Sequence, residues 1–403
     1  MPAFPLARGH TLQGVSTPIY LDYAATTPVA PEVLEAMLPW LGDGFGNPSS
    51  LHSIGRRARS AVDDARDRVA AALGCASREI VFTAGGSEAD NLAIRGVLDR
   101  FAARGRHIVI SSIEHDAVIK TAEQLVEEGR CEVTVVGCDA RAVVDPAEVA
   151  AAVRPDTVLV SVMLANNEVG TVQDVAAIAS LVRSRNPHTL IHTDAVQALG
   201  KLPLDVGSLG VDLLSVSAHK VYGPKGVGAL YTRQGVTVAA QISGGGHERG
   251  RRSGTENVAG IVGFGVAATL VDSEREAEMR RLDALSSRLT EVIASGVPDG
   301  VVTAAGALRL SSFSTFAFPG LSTEVLLTLL DSWDVCSSGG SACSSGAHMP
   351  SHVLVAMGYS PALAAGALRC TLGRGTTSAE VDRAGELIVK AVRQLQGAVP
   401  ASA

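Results

Sequence analysis

Between residues 79 and 235 the chain alternates short apolar runs with longer stretches whose apolar positions recur at helical spacing. The runs are Glu79 to Thr83, His107 to Ser111, Glu132 to Val136, Thr157 to Leu164, Leu190 to Thr193, Leu213 to Ser217 and Gly228 to Tyr231. Each is short enough for a strand and is flanked by turn-forming residues. Ala89 to Arg104, Ala117 to Glu128 and Val175 to Arg185 lie between them as predicted helices. Such alternation predicts an α/β fold, a mostly parallel seven-stranded sheet with helices on both faces. After the glycine-rich stretch Gly244 to Gly254, a charged amphipathic helix is predicted from about Asp272 to Ala294. One further strand-like run, Leu310 to Phe318, and helices near Ser322 to Leu330 and Ser378 to Leu395 suggest a smaller α+β domain. The expected division is a large domain over residues 31–270 and a small one from residues 1–30 and 271–403.

Composition narrows the class. The 403 residues, 46% hydrophobic and 19% charged, can build substantial cores and exclude a peptide, a small disulfide scaffold or a disordered tail. The charge-free apolar stretch Asn257 to Val271 is 15 residues long, short of the roughly 20 that a spanning helix needs, so no membrane partner is expected. A net charge of −7 argues against direct nucleic-acid binding. Six cysteines form no Cys-x-x-Cys pair and no zinc-like cluster, so no metal is expected. Met1 to Pro18 lacks the apolar core of a signal peptide, and the expected setting is a reducing cytoplasm with free thiols.

Only five of the 34 basic residues are lysines, at 120, 201, 220, 225 and 390. Ligands in an open parallel sheet sit outside the carboxyl ends of the strands, and polar residues gather at those ends here. The run Glu79 to Thr83 leads through Ala84-Gly85-Gly86-Ser87-Glu88 into a helix, either a phosphate cradle of backbone N–H groups or a tight turn capped by Ser87. Leu190 to Thr193 ends in Asp194, followed by Gln197; the carboxylate is either a partner for a buried cation or a helix cap. Leu213 to Ser217 delivers Ser217-Ala218-His219-Lys220, with Lys220 either a cleft nucleophile or a surface lysine. A phosphate cradle, a carboxylate suited to a pyridinium nitrogen and a lysine able to form a Schiff base are together the parts a pyridoxal phosphate enzyme needs.

Tyr20-Leu21-Asp22-Tyr23-Ala24-Ala25-Thr26-Thr27-Pro28, Gly46-Asn47-Pro48-Ser49-Ser50, Glu114-His115, Asn166-Asn167-Glu168-Val169-Gly170, the segment Ser217 to Gly226 and Arg252-Ser253-Gly254-Thr255-Glu256-Asn257 resemble the cysteine desulfurases, of the class-V aminotransferase fold and fold type I of the pyridoxal phosphate enzymes. The resemblance runs from about Tyr20 to Leu395. It implies that pyridoxal 5'-phosphate is bound in the large domain, on Lys220, with Asp194 at the ring nitrogen, His115 stacked on the ring and Gln197 at the ring hydroxyl. Gly86, Ser87, Ser217 and His219 would hold the phosphate, and Thr255 would reach it from the second subunit of a homodimer. Asn167 and Arg369 would bind the substrate carboxylate.

The same resemblance implies the reaction: L-cysteine goes to L-alanine, Cys343 takes the sulfur as a persulfide, and an acceptor protein then receives it for iron-sulfur, thio-cofactor or tRNA thiolation chemistry. His115 is the expected proton shuttle. Cys343 lies in a run of small residues suited to a catalytic loop, about residues 336–348 in the small domain. Cys336 stands at the other end of that run, and the Ser-Ala-Cys pattern selects Cys343. Three departures stand out: Gly-Gly-Ser-Glu at the phosphate turn, a doubled Gly339-Gly340, and a C-terminal tail expected to be short, which leaves the acceptor open. The rivals are a selenocysteine lyase, a transaminase or β-lyase on the same fold, and a non-catalytic homologue. Cys343 argues against the transaminase, and Lys220 with Cys343 argues against the non-catalytic homologue.

Overall fold

The computed structural model describes residues 18–340 and 350–398. Its strands are, in chain order, β1 (Ile19–Tyr20), β2 (Ile80–Thr83), β3 (His107–Ser111), β4 (Glu132–Val136), β5 (Thr157–Ser161), β6 (Leu190–Asp194), β7 (Leu213–Ser217), β8 (Gly228–Thr232), β9 (Val301–Val302), β10 (Phe313–Ala317), β11 (Val335–Cys336) and β12 (Ala367–Thr371). Strands β2 to β8 form one seven-stranded sheet in the order β2-β8-β7-β6-β5-β3-β4. The ladders from β7 through β6, β5 and β3 to β4 are parallel, while β8 runs antiparallel to both β2 and β7. All seven predicted runs are strands of this sheet. Their apolar content follows from burial on both faces, since β2, β3, β5, β7 and β8 are buried along their whole length. Edge strand β4 instead exposes Glu132, a charge that discourages further pairing.

Strands β9, β10 and β12 form an antiparallel sheet in the order β12-β10-β9, and β1 pairs in parallel with β11. The predicted helix at Asp272 to Ala294 proves to run from Val258 to Gly296, so the expected boundary at residue 270 falls inside one continuous helix. Its early glycines lower helix propensity but permit close packing. A Cβ on Gly265 would lie 2.8 Å from Ala65 Cα, and one on Gly263 would lie 2.6 Å from Met37 Sδ. Tertiary contact with the helices Ser53–Ala72 and Pro31–Leu41 thus outweighs local preference.

A buried ion pair ties the helix Ser53–Ala72 to the glycine-rich segment. Arg66 donates to Glu248 through both terminal nitrogens, at 2.7 and 2.6 Å, and to the Ile80 carbonyl at 3.0 Å. Glu248 also accepts the Phe82 N–H at 3.0 Å. Removing one partner of such a pair strands the other charge, at a cost of about 3–5 kcal/mol. This holds Glu248 and Arg249 in left-handed backbone, at φ +50° and +58°, which non-glycine residues seldom adopt.

The N-terminal segment 18–30 threads between the sheets. Thr27 N–H donates to the His219 carbonyl at 2.9 Å, Ala24 N–H to Thr371 Oγ1 at 2.9 Å, and Asp22 accepts from Arg369 Nη2 at 2.7 Å.

Candidate active site

A cleft opens where the parallel strands end, the position that strand and helix dipoles and loop chemistry favour for ligands. Gly86, Ser87, His115, Asn167, Asp194, Gln197, Ser217, His219, Lys220 and Arg369 all line it. Each comes from a strand end or the turn beyond it, apart from Arg369, which stands on β12. Ten of the residues singled out in the sequence are therefore brought together. Thr255 lies outside the cleft and is exposed, and Cys343 lies outside the described residues.

At one end, β2 runs into the helix Gly86–Phe101, whose first turn leaves backbone N–H groups without helical partners. Gly86 is required there, because a Cβ would sit 2.7 Å from Val196 Cγ2. Beside it, Ser217 Oγ is buried without a hydrogen-bond partner. His219 Nδ1 lies 3.1 Å from Thr26 Oγ1. Burial, and then the charges of Lys220, Lys225 and Lys201, push His219 down to about 4, so it meets a ligand as a neutral ring. An orphan hydroxyl, a neutral imidazole and free N–H groups on a helix start form a donor set for an anion.

In the middle, Asp194 Oδ1 accepts the Val196 N–H at 2.8 Å. Burial pushes its carboxyl above the ordinary range, opposed by His115, that N–H and Lys220. A cationic ring nitrogen in the cleft would offset this cost. His115 caps the helix Asp116–Glu127, and its Nδ1 accepts the Ala117 N–H at 3.0 Å. A neutral His115 therefore carries its proton on Nε2. Lys220 follows β7, and its Nζ donates to the carbonyls of Ala24 and Ala25 at 2.6 and 2.8 Å. The donor set, buried carboxyl and amine fit a phosphorylated pyridine aldehyde.

At the far end, Arg369 is 3% exposed and spans Asp22 Oδ1 and the Asn167 carbonyl, both at 2.7 Å. Its Nε is buried and has no partner. The sequence reading gave no role to Asp90, Glu114, Glu168 or His352. Asp90, Glu168 and His352 line the cleft, and buried Glu114 accepts the Met163 N–H at 2.9 Å. Glu114 and Glu168 lay within quoted motifs; Asp90 and His352 gave no local signal, because the cleft residues they join are distant in sequence. Among the described residues, no group of three or more His, Cys, Asp or Glu is placed to hold a metal ion, and no helix is long and apolar enough to cross a membrane.

Burial pushes the Glu114 carboxyl up to about 8, against hydrogen bonds from Ser111 and Met163 N–H. From about pH 4.3, where an unfolded glutamate ionises, to about 8, the folded chain holds a proton that the unfolded chain releases. Folding stability is therefore expected to fall across that window through this residue. Glu114→Gln should weaken the decline by on the order of 2–5 kcal/mol, read as urea unfolding of both proteins at each end of the window. Parallel pH profiles for the two proteins would refute the assignment.

The parallel sheet with its cleft lysine and buried acid defines a class of enzyme. The sequence pattern of the class-V aminotransferases matches residues 19–384, and the chain belongs to that family. Within it the chain is a cysteine desulfurase, of the kind its relatives represent. "Cysteine desulfurase IscS" of Anaeromyxobacter sp. (strain Fw109-5) is 46% identical over 386 residues, 95% of this chain and 94% of that one. The protein of the same name from Methanosarcina thermophila is 43% identical over 97% of this chain and 96% of its own length. Among solved structures, a NifS-like protein superposes with a TM-score of 0.87 at 36% identity, covering 95% of this chain and all of that one. SspA in complex with cysteine gives 0.77 at 37%, covering 88% and 98%. These families depend on pyridoxal phosphate.

Proposed function

We propose that the protein is a cytoplasmic, homodimeric desulfurase that binds pyridoxal 5'-phosphate in this cleft and moves sulfur from L-cysteine to Cys343 and then to an acceptor protein. The observation that carries this reading is the convergence of Lys220, Asp194 and His115 with the anion donors at one end and Arg369 at the other. Gly86, Ser87, Ser217 and His219 would hold the phosphate, with Asp194 as partner for the ring nitrogen, Gln197 for the ring hydroxyl and His115 for the ring face. Thr255 completes the site from a second copy. Its exposure supports this, as does the exposed stripe Leu34, Leu38 and Leu41 on one helix, the kind of apolar face that marks an interface. The division into large and small domains near residue 270 is part of the same proposal.

When bound, the cofactor supplies an electron sink for the α-carbon of an attached amino acid. Lys220 would hold it, and its amine would move the α-proton. Arg369 and Asn167 hold the substrate carboxylate, with Arg369 offering a paired donor fork. His115, its Nε2 bearing the proton when neutral, shuttles protons at the substrate. The Cys343 thiolate attacks the substrate sulfur: an S–S bond forms, the Cβ–S bond breaks, and its electron pair stays on carbon to be protonated, giving alanine and a persulfide. Support for Cys343 comes also from the other five cysteines. Burial pushes Cys75 and Cys370 up to about 12 and raises Cys131, Cys138 and Cys336, so none of them is set up as a thiolate. The test is peptide mass spectrometry after incubation with L-cysteine. One added sulfur on Cys343, with alanine released, is expected; pyruvate and free sulfide without a persulfide would refute it.

A further inference from the structure

Gln197 and Lys201 share the irregular turn that follows β6, and the function proposed above gives Lys201 no part. Lys201 Nζ donates to Gln197 Oε1 at 3.2 Å and to the Gln197 carbonyl at 3.0 Å. Gln197 Nε2 in turn donates to the Ala24 carbonyl at 2.9 Å, the same oxygen that accepts from Lys220 Nζ at 2.6 Å. A lysine offers donors and no acceptor in its charged form, and a backbone carbonyl only accepts. Both ends of the Gln197 amide are thereby fixed in one sense, oxygen toward Lys201 and nitrogen toward Ala24. The second hydrogen on Nε2 is left for the cleft that buried Gln197 lines.

We propose that Lys201 is a positioning residue of the cofactor site, which holds the Gln197 amide so that it presents a donor, and not an acceptor, to the ring oxygen. A donor there favours the anionic form of that oxygen, whereas a flipped amide would set oxygen against oxygen. Burial, and then the charge of Lys220, push Lys201 down to about 7. The lock survives loss of its proton, because a neutral amine keeps two N–H groups for the two Gln197 oxygens. Lys201 lines a small cavity together with the apolar side chains of Leu199, Leu270, Val271, Met279 and Leu282. Methionine or leucine can fill that space without stranding a charge. The titratable groups facing this cavity are Lys220, Tyr23, Tyr222, Glu274, Glu278 and Arg374, with His219 close enough to feel Lys201. They are present in every variant below, and the direct effect of the Lys201 charge on them is what the Gln197→Ala background separates out.

The inference rests on the cofactor reading of the cleft, and the experiment separates the two. Protein loaded with pyridoxal phosphate is titrated across neutral and alkaline pH, following the pH midpoint at which its visible absorbance band changes. The set is wild type, Lys201→Met, Lys201→Leu, Lys201→Arg, Gln197→Ala and the Lys201→Met/Gln197→Ala pair. Lys201→Met and Lys201→Leu are expected to raise the midpoint by roughly half a pH unit, about a threefold change in proton affinity. Lys201→Arg, also a pure donor, should stay near wild type. In the Gln197→Ala background Lys201→Met should add nothing, since the lysine acts through the amide. An equal shift in both backgrounds would mean that Lys201 acts by charge alone and would overturn the proposal, as would no shift in either. Failure of the cofactor reading looks different: wild type and variants alike would show no visible band, and the proposal would fall with that reading.

Discussion

Lys220→Ala is expected to lower alanine formation from L-cysteine by on the order of 10⁴-fold or more, because in the proposed mechanism the residue would both anchor the cofactor and move the α-proton. The fold should survive. Lys220 Nζ stands at the cleft on two backbone carbonyls, while β7, the strand just before it, is held by ladders to β6 and β8. Borohydride treatment of the yellow wild-type protein should fix the cofactor to the peptide bearing Lys220. Label on Lys201 or Lys225, or a Lys220→Ala protein with near-normal turnover, would sink the assignment.

Cys343→Ala should remove alanine formation almost as completely, by about 10³-fold or more, since no described cysteine is poised as a thiolate. It should nevertheless bind cofactor and still show the spectral change on adding cysteine, because Lys220, Asp194 and Arg369 are untouched. Cys336→Ala is the control. Cys336 sits on β11 with its thiol pushed up by burial and by the charges of Asp331, Asp334 and Asp22, and the variant should keep most activity. A β-lyase or transaminase would scarcely notice either change. Unchanged cysteine turnover in Cys343→Ala would overturn the sulfur-transfer step and leave the Lys220 result standing.

The sequence showed much of this because its signals are local. Each central strand is a four- or five-residue apolar run between turns, so period and composition suffice to find it. The cleft residues follow strand ends in sequence, and Gly86, Asp194 and Lys220 were legible for that reason. The start of the helix Val258–Gly296 was not, because Gly260, Gly263 and Gly265 read as a break until their neighbours, Met37 and Ala65, are known. Arg369 was named as a carboxylate binder, but the strand β12 that carries it was missed, since its partner β10 lies some fifty residues earlier. The same holds for the acid that balances Arg369. Asp22 is 347 positions away, and nothing near either residue announces the pair.

That separation bears on how the molecule is made. The segment 18–30 is synthesised well before the partners it bonds to, His219, Arg369 and Thr371. At about 5–20 residues per second, the wait for the last of them is roughly 20–70 s. Once β8 is made the seven-stranded sheet has all its strands, while the partners of this segment on β12 are still to come. Ala24, whose carbonyl receives both Lys220 and Gln197, is thus made long before Thr371, which accepts its N–H. The cleft thus acquires its final form only after β12 is made, so cofactor capture is expected to follow the synthesis of that strand.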